Sequence, residues 1–112
     1  MTERPDISIV GAGKVGTALG VLAARAGRRV RAVASRSRTS AEAAAARIEG
    51  AAACGLEDAA GAGELVLLTV PDDAIAALAE RLAPHVRPGA VVAHCSGALS
   101  SEVLAPLRRG SG

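Results

Sequence analysis

Apolar residues in this chain fall into short continuous runs and longer stretches of helical spacing, and the two patterns alternate from end to end. Ile7-Ser8-Ile9-Val10 is a β-rich run that stops at Gly11 and reads as a buried strand. Over residues 14–26, Val15, Leu19 and Leu22 keep helical spacing, and Gly27 is placed to end that helix. Residues 29–34 predict a second strand. The Ala-rich stretch 40–48 predicts a second helix with Thr39 or Ser40 as its N-cap. A short third strand is expected over 51–54, and a helical turn over 56–62. Residues 65–70 give the strongest strand signal, a continuous apolar run suited to a parallel strand covered on both faces and ended by Pro71. A helix follows over 72–82, capped by Asp72, with Ile75, Leu78, Ala79 and Leu82 on one face. Pro84 and Pro88 bracket a loop, 90–93 is the last strand, and 99–108 a last, broken helix.

Alternation of this kind predicts an α/β domain with a doubly wound parallel sheet. It should have about five strands, helices on both faces and right-handed crossovers, all within a single unit spanning 1–112. Half of the residues are hydrophobic but none is Phe, Tyr or Trp, so the core must be built from Val, Leu, Ile and Ala. Side chains of that size bury little area each, and modest stability is expected. Thirteen basic and eleven acidic residues leave a net charge of +2. That balance, with no aromatic side chain to stack on bases, argues against nucleic-acid binding. Cys54 and Cys95 form no CxxC pair, so neither a metal site nor a redox dithiol is signalled. No apolar run approaches membrane-spanning length and the charged start is unlike a signal peptide, which predicts a cytoplasmic protein.

The candidate chemistry begins at Gly11-Ala12-Gly13-Lys14-Val15-Gly16, which follows an apolar strand directly and opens a helix directly. In that setting the glycine pattern predicts a dinucleotide phosphate loop. Gly11 permits the tight turn, Gly13 lets a pyrophosphate approach the backbone, and Gly16 lets helix pack on strand. Free N–H groups and the helix dipole then hold the anion. The second strand runs into Ser35-Arg36-Ser37-Arg38-Thr39 where an NAD site would carry an acid for the ribose hydroxyls, and no acid occurs between Gly11 and Ala41. Arg36 and Arg38, with the serine hydroxyls, would instead attract a 2′-phosphate, so NADP is expected ahead of NAD. Arg36 is placed to contact the phosphate and Arg38 to face solvent.

Ligands of open parallel sheets lie beyond the carboxyl ends of the strands. Val70 and Pro71 there would form an apolar wall for the cofactor, and Asp72 a helix cap. His94 and Ser96 are the candidates for a proton donor or substrate ligand, although His94 reads equally well as a hydrogen-bonded residue at a strand end. Cys95 reads as a small hydrophobe and His85 as surface loop.

Ile7 to Gly16, Ser35-Arg36-Ser37, Leu65 to Asp73 and above all His94-Cys95-Ser96-Gly97-Ala98-Leu99-Ser100-Ser101 together resemble a known family. They look like the N-terminal domain of the Rossmann-like proteins that carry a DUF2520 C-terminal domain. That family is similar to pyrroline-5-carboxylate reductase, F420-dependent NADP oxidoreductases and β-hydroxyacid dehydrogenases. The resemblance implies an NAD(P)-dependent oxidoreductase acting on small imine, carbonyl or hydroxy substrates. It also implies a helical C-terminal domain that closes the substrate site and mediates dimerisation. This chain ends before such a domain, so a small-molecule substrate and a homodimer are expected only of a longer protein, and residues 1–112 alone should be catalytically silent. The rival reading is a stand-alone nucleotide-sensing or interaction module. A third places a ligand such as S-adenosylmethionine on the same fold.

Overall fold

In the computed structural model, which describes residues 5–11, 13–70 and 72–94, strands and helices alternate as the pattern predicts. The elements are β1 Ile7–Val10, α1 Lys14–Arg25, β2 Val30–Ala34, α2 Arg38–Arg47, β3 Ala52–Ala53, α3 Leu56–Ala62, β4 Leu65–Leu68, α4 Asp72–Leu82 and β5 Val91–His94, with a 3-10 turn at Ala83–His85. All strand pairs are parallel and the order is β3-β2-β1-β4-β5. The direction of winding reverses between β1 and β4, which are adjacent in the sheet but far apart in sequence. This is a Rossmann-type doubly wound sheet.

Side chains alternate along β1 and β4, and along β2 after an irregularity between Val30 and Ala32, so the sheet divides the core into two layers. Ile7 and Ile9 pack with Val30, Val33, Ala44 and Ile48 under α1 and α2. Val10, Val66 and Leu68 pack with Ala59, Ala60, Ile75, Ala79 and Leu82 under α3 and α4. The helices approach closely because their inward residues are small. At Gly20 an added Cβ would lie 2.3 Å from Ile48 Cδ1 and 2.9 Å from Ile9 Cδ1.

Helix boundaries follow local hydrogen bonding. α1 ends in a Schellman motif, with Gly27 at φ 83° donating to Ala24 O and Arg28 N donating to Ala23 O. α2 starts earlier than its apolar pattern suggests. Its cap is Ser37, not Thr39 or Ser40, because Ser37 holds extended backbone and its hydroxyl accepts the Ser40 N–H. Asp72 lies inside α4 as its first residue rather than before it. β4 ends at Leu68, two residues short of the apolar run. β5 is displaced by one residue because Ala90 N still donates to Arg87 O, closing a Pro88-Gly89 turn with Gly89 at φ 83°. The expected helix over 99–108 lies outside the described residues.

Because Gly20 sits against Ile48 and Ile9, Gly20→Val should cost about 1–3 kcal/mol through overpacking. The check is the chemical denaturation midpoint. A midpoint equal to that of the parent would mean that α1 does not pack as closely as described.

Candidate functional site

β1 and β4 run side by side, and the chain leaves them in different directions, opening a cleft above their carboxyl ends. Gly11 makes the exit from β1 at φ 115°, a conformation that side-chain-bearing residues rarely adopt. A Cβ on Gly11 would also lie 2.7 Å from the Thr69 carbonyl oxygen, and a Cβ on Gly16 only 2.1 Å from the Gly11 oxygen. The first turn of α1 is thus pressed onto the end of β1. The Thr69 hydroxyl locks this arrangement by donating to Gly11 O at 2.8 Å.

Gly13 is different: an added Cβ there would meet no protein atom within 4 Å. Gly11 and Gly16 are glycine for the fold, whereas the space at Gly13 is open to whatever occupies the cleft. Gly13 is the N-cap of α1, offers no side-chain hydrogen bond, and is followed by a first turn without acidic residues. No side chain of the cap residue occupies the amides of that turn, and helix polarity there favours an anion.

The cleft has a volume of about 540 Å³. Its rim is formed by Gly11 and Gly13, by Thr69 and Val70 after β4, and by Ser35 and Arg36 after β2. Its far wall is Leu56 at the start of α3 and one face of α4: Asp73, Ala74, Ala77, Leu78 and Arg81. This gives an apolar slot with a polar rim. Arg81 ties the wall together through an ion pair with Glu57, whose carboxyl is held below its usual range chiefly by that hydrogen bond.

Of the residues singled out from the sequence, Gly11, Gly13, Ser35, Arg36 and Val70 line this one cleft. Arg36 is exposed and, among the described residues, has no ion-pair partner. Arg38 is engaged on its own helix with Glu42 at 3.3 Å. Ser35 Oγ accepts the Ser37 N–H at 3.3 Å, and Ser37 Oγ accepts the Ser40 N–H, so each hydroxyl keeps its own hydrogen for donation. Lys14 lies outside the cleft, in a second groove with Thr17, Ala18 and Arg47. Val15 is exposed and lines neither. Gly16 is buried beneath the loop. Ala12, Pro71 and Ser96 fall outside the described residues.

His94 ends β5 half-buried and does not line the cleft. Cys54 packs against the α3/α4 core, where burial and then the neighbouring Asp58 raise its thiol above the usual range. It is a small hydrophobe rather than a nucleophile. Among the described residues no group of His, Cys, Asp or Glu is arranged to hold a metal ion, and no helix is long and apolar enough to cross a membrane. The hydrogen bond from Thr69 to Gly11 and the lining by the α4 face were not foreseen from the sequence. Thr69 could have been found as the one hydroxyl at the end of the strongest strand. The α4 face could not, because its lining residues look like ordinary helix surface.

Thr69→Val removes the hydroxyl and sets a methyl against the Gly11 carbonyl. It should lower stability by about 1–3 kcal/mol, while Thr69→Ser, which keeps the donor, should recover most of that. Thermal unfolding of the two variants tests the lock, and equal losses in both would dispose of it.

The likenesses to known proteins agree with this geometry. The family model described as Rossmann-like domain matches residues 1–111. Among solved structures, a Bacteroides fragilis protein designated an NADP oxidoreductase is 28% identical, with a TM-score of 0.77 over 84% of this chain and 37% of that one. The 3-hydroxyisobutyrate dehydrogenase of Mycobacterium tuberculosis is 19% identical, with a TM-score of 0.81 over 97% of this chain and 38% of its own. An imine reductase from Pseudomonas is 22% identical, with a TM-score of 0.74 over 96% of this chain and 37% of its own. Among curated proteins no sequence matches. The chain spans less than two-fifths of the length of these three structural relatives.

Proposed function

The chain belongs to the Rossmann-like domain family, and from that premise we propose that it is the NADP(H)-binding domain of an oxidoreductase. The observation that carries the reading is the alignment of three features along one cleft. These are a helix N-terminus without a side-chain cap at an open Gly13, an Arg36 beside Ser35 that has no ion-pair partner among the described residues, and a slot walled by α4. A pyrophosphate suits the first, a 2′-phosphate the second and a flat adenine the third, with the Arg36 guanidinium free to stack on the base as well. The names of the solved relatives, an NADP oxidoreductase, a dehydrogenase and an imine reductase, point to the same class.

Hydride transfer is the chemistry that a bound nicotinamide cofactor supplies. This chain's own residues hold the phosphates at the α1 N-terminus, orient the cofactor between Thr69-Val70 and the β2 loop, and offer the Arg36 guanidinium to the 2′-phosphate.

Two measurements test this. Gly13→Val places a side chain in space empty of protein but needed by the pyrophosphate, so it should fold with unchanged circular dichroism and lose NADPH binding. Retention of full affinity would remove the loop from consideration. The second is the ratio of dissociation constants for NADPH and NADH, followed by cofactor fluorescence. Charge-assisted hydrogen bonds worth about 1.5–3 kcal/mol each imply a preference for NADPH of roughly tenfold to several-hundredfold, reduced by salt. Arg36→Ala should weaken NADPH far more than NADH, and Ser35→Asp should reverse the preference. Equal constants in the parent protein would reduce the basic loop to a solvated turn.

A further inference from the structure

Helix α1 is apolar nearly all round. Of its twelve residues only Lys14, Thr17 and Arg25 carry polar side chains, a composition found in helices that are covered on every side. One side is covered by the sheet: Gly16, Thr17 and Gly20 are buried, and Val21, Ala23 and Ala24 pack on the Ile9 layer. At about 100° per residue the opposite side is Val15, Ala18, Leu22 and, just past the helix, Ala26. All four are exposed, and Leu19 is half-buried on their shoulder. Val15 at 56% and Leu22 at 60% are two of the three large apolar side chains left exposed among the described residues; the third, Val91, belongs to β5. Residues 15, 19, 22 and 26 alternate steps of four and three, the spacing of a coiled-coil seam. The charges beside this seam have one sign. Lys14 and Arg25 run along one edge, and Arg47 of α2 faces Lys14 and Ala18 across the neighbouring groove. No acid occurs between Gly11 and Ala41, and among the described residues Lys14, Arg25 and Arg47 form no ion pair.

We propose that this outer face of α1 docks another protein, which meets it with an amphipathic helix whose apolar seam is bordered by Asp and Glu. Leu22 and Val15 would fill the partner's seam, and Lys14, Arg25 and Arg47 would meet its acids, which fix partner choice and orientation. A second copy of this chain fits worse. Packed antiparallel about residues 19 and 20, two α1 helices bring Lys14 of each against Arg25 of the other. Packed parallel, they set Lys14 against Lys14. Either arrangement opposes like charges and supplies no acid. An anionic bilayer has the right charge, but the chain offers no Trp or Phe to anchor an interfacial helix. The seam is about 16 Å long from residue 15 to residue 26, so the contact belongs to the small, transient class of interfaces.

The test uses the full 112-residue chain with labelled Val and Leu methyl groups. The probes are two helical peptides of about three heptads that share a Leu seam and differ in carrying Glu or Lys at the flanking positions. The Glu peptide is expected to shift the Val15 and Leu22 methyl resonances, to leave those of Val10 and Leu68 in place, and to bind at least tenfold more tightly than the Lys peptide. Leu22→Asp and Arg25→Glu, both at exposed positions, should each weaken it by tenfold or more with unchanged circular dichroism. Equal binding of the two peptides, binding of neither, or binding indifferent to Leu22→Asp would overturn the proposal. Sedimentation as a dimer that Leu22→Asp disrupts would overturn it too, by assigning the face to a second copy. So would Val15 and Leu22 shifts induced by phosphatidylserine vesicles and not by the Glu peptide, which would assign it to a membrane.

Discussion

The contact on which the domain depends is the meeting of Gly11, Gly16 and Thr69 at the reversal point of the sheet. A helix that is to present its N-terminus above the seam between β1 and β4 must start within van der Waals distance of the strand it has just left. Any side chain at residue 16 would collide with the Gly11 carbonyl, and any residue but glycine at 11 would resist a φ of 115°. The Thr69 hydroxyl then turns proximity into attachment, joining the end of β4 to the loop after β1 across 58 positions of sequence. Without this contact α1 would rise off the sheet, the fit of Gly20 over Ile9 and Ile48 would open, and the amides of the first turn would no longer be aimed.

The same demand for close approach explains a core without aromatic rings. Ala59 and Ala60 of α3 and Ala79 of α4 are fully buried, as are Ala34 of β2 and Val10 of β1. Layers this thin leave no room for a Phe without displacing a helix, and each small side chain contributes little buried area. Cohesion comes from many short contacts. The fold is accordingly sensitive to added volume at Gly11, Gly16 and Gly20.

Much of this was legible in the sequence because the signals were local. A four-residue apolar run ending in Gly11, then helical spacing from residue 14, defines strand, loop and helix from neighbouring residues alone. The order of elements likewise follows from alternation. What sequence left hidden depends on residues brought together from a distance. Thr69 matters because β4 lies beside β1, and Ala74, Ala77 and Leu78 line the cleft because α4 crosses behind it. The start of α2 was hidden for another reason: Ser37, Thr39 and Ser40 are all competent caps, and only the extended backbone at residue 37 selects among them.

That choice of cap decides the electrostatics of the site. Arg36 and Arg38 are identical residues two positions apart, and the sequence offers both to a phosphate. Capping at Ser37 makes Arg38 the first residue of α2, four positions before Glu42, and so commits its guanidinium to an ion pair along the helix. Arg36 precedes the cap, has no helical neighbour to pair with, and stays on the loop that rims the cleft. A single serine hydroxyl, by fixing where α2 begins, thus commits Arg38 to the helix and leaves Arg36 on the cleft rim with no ion-pair partner among the described residues.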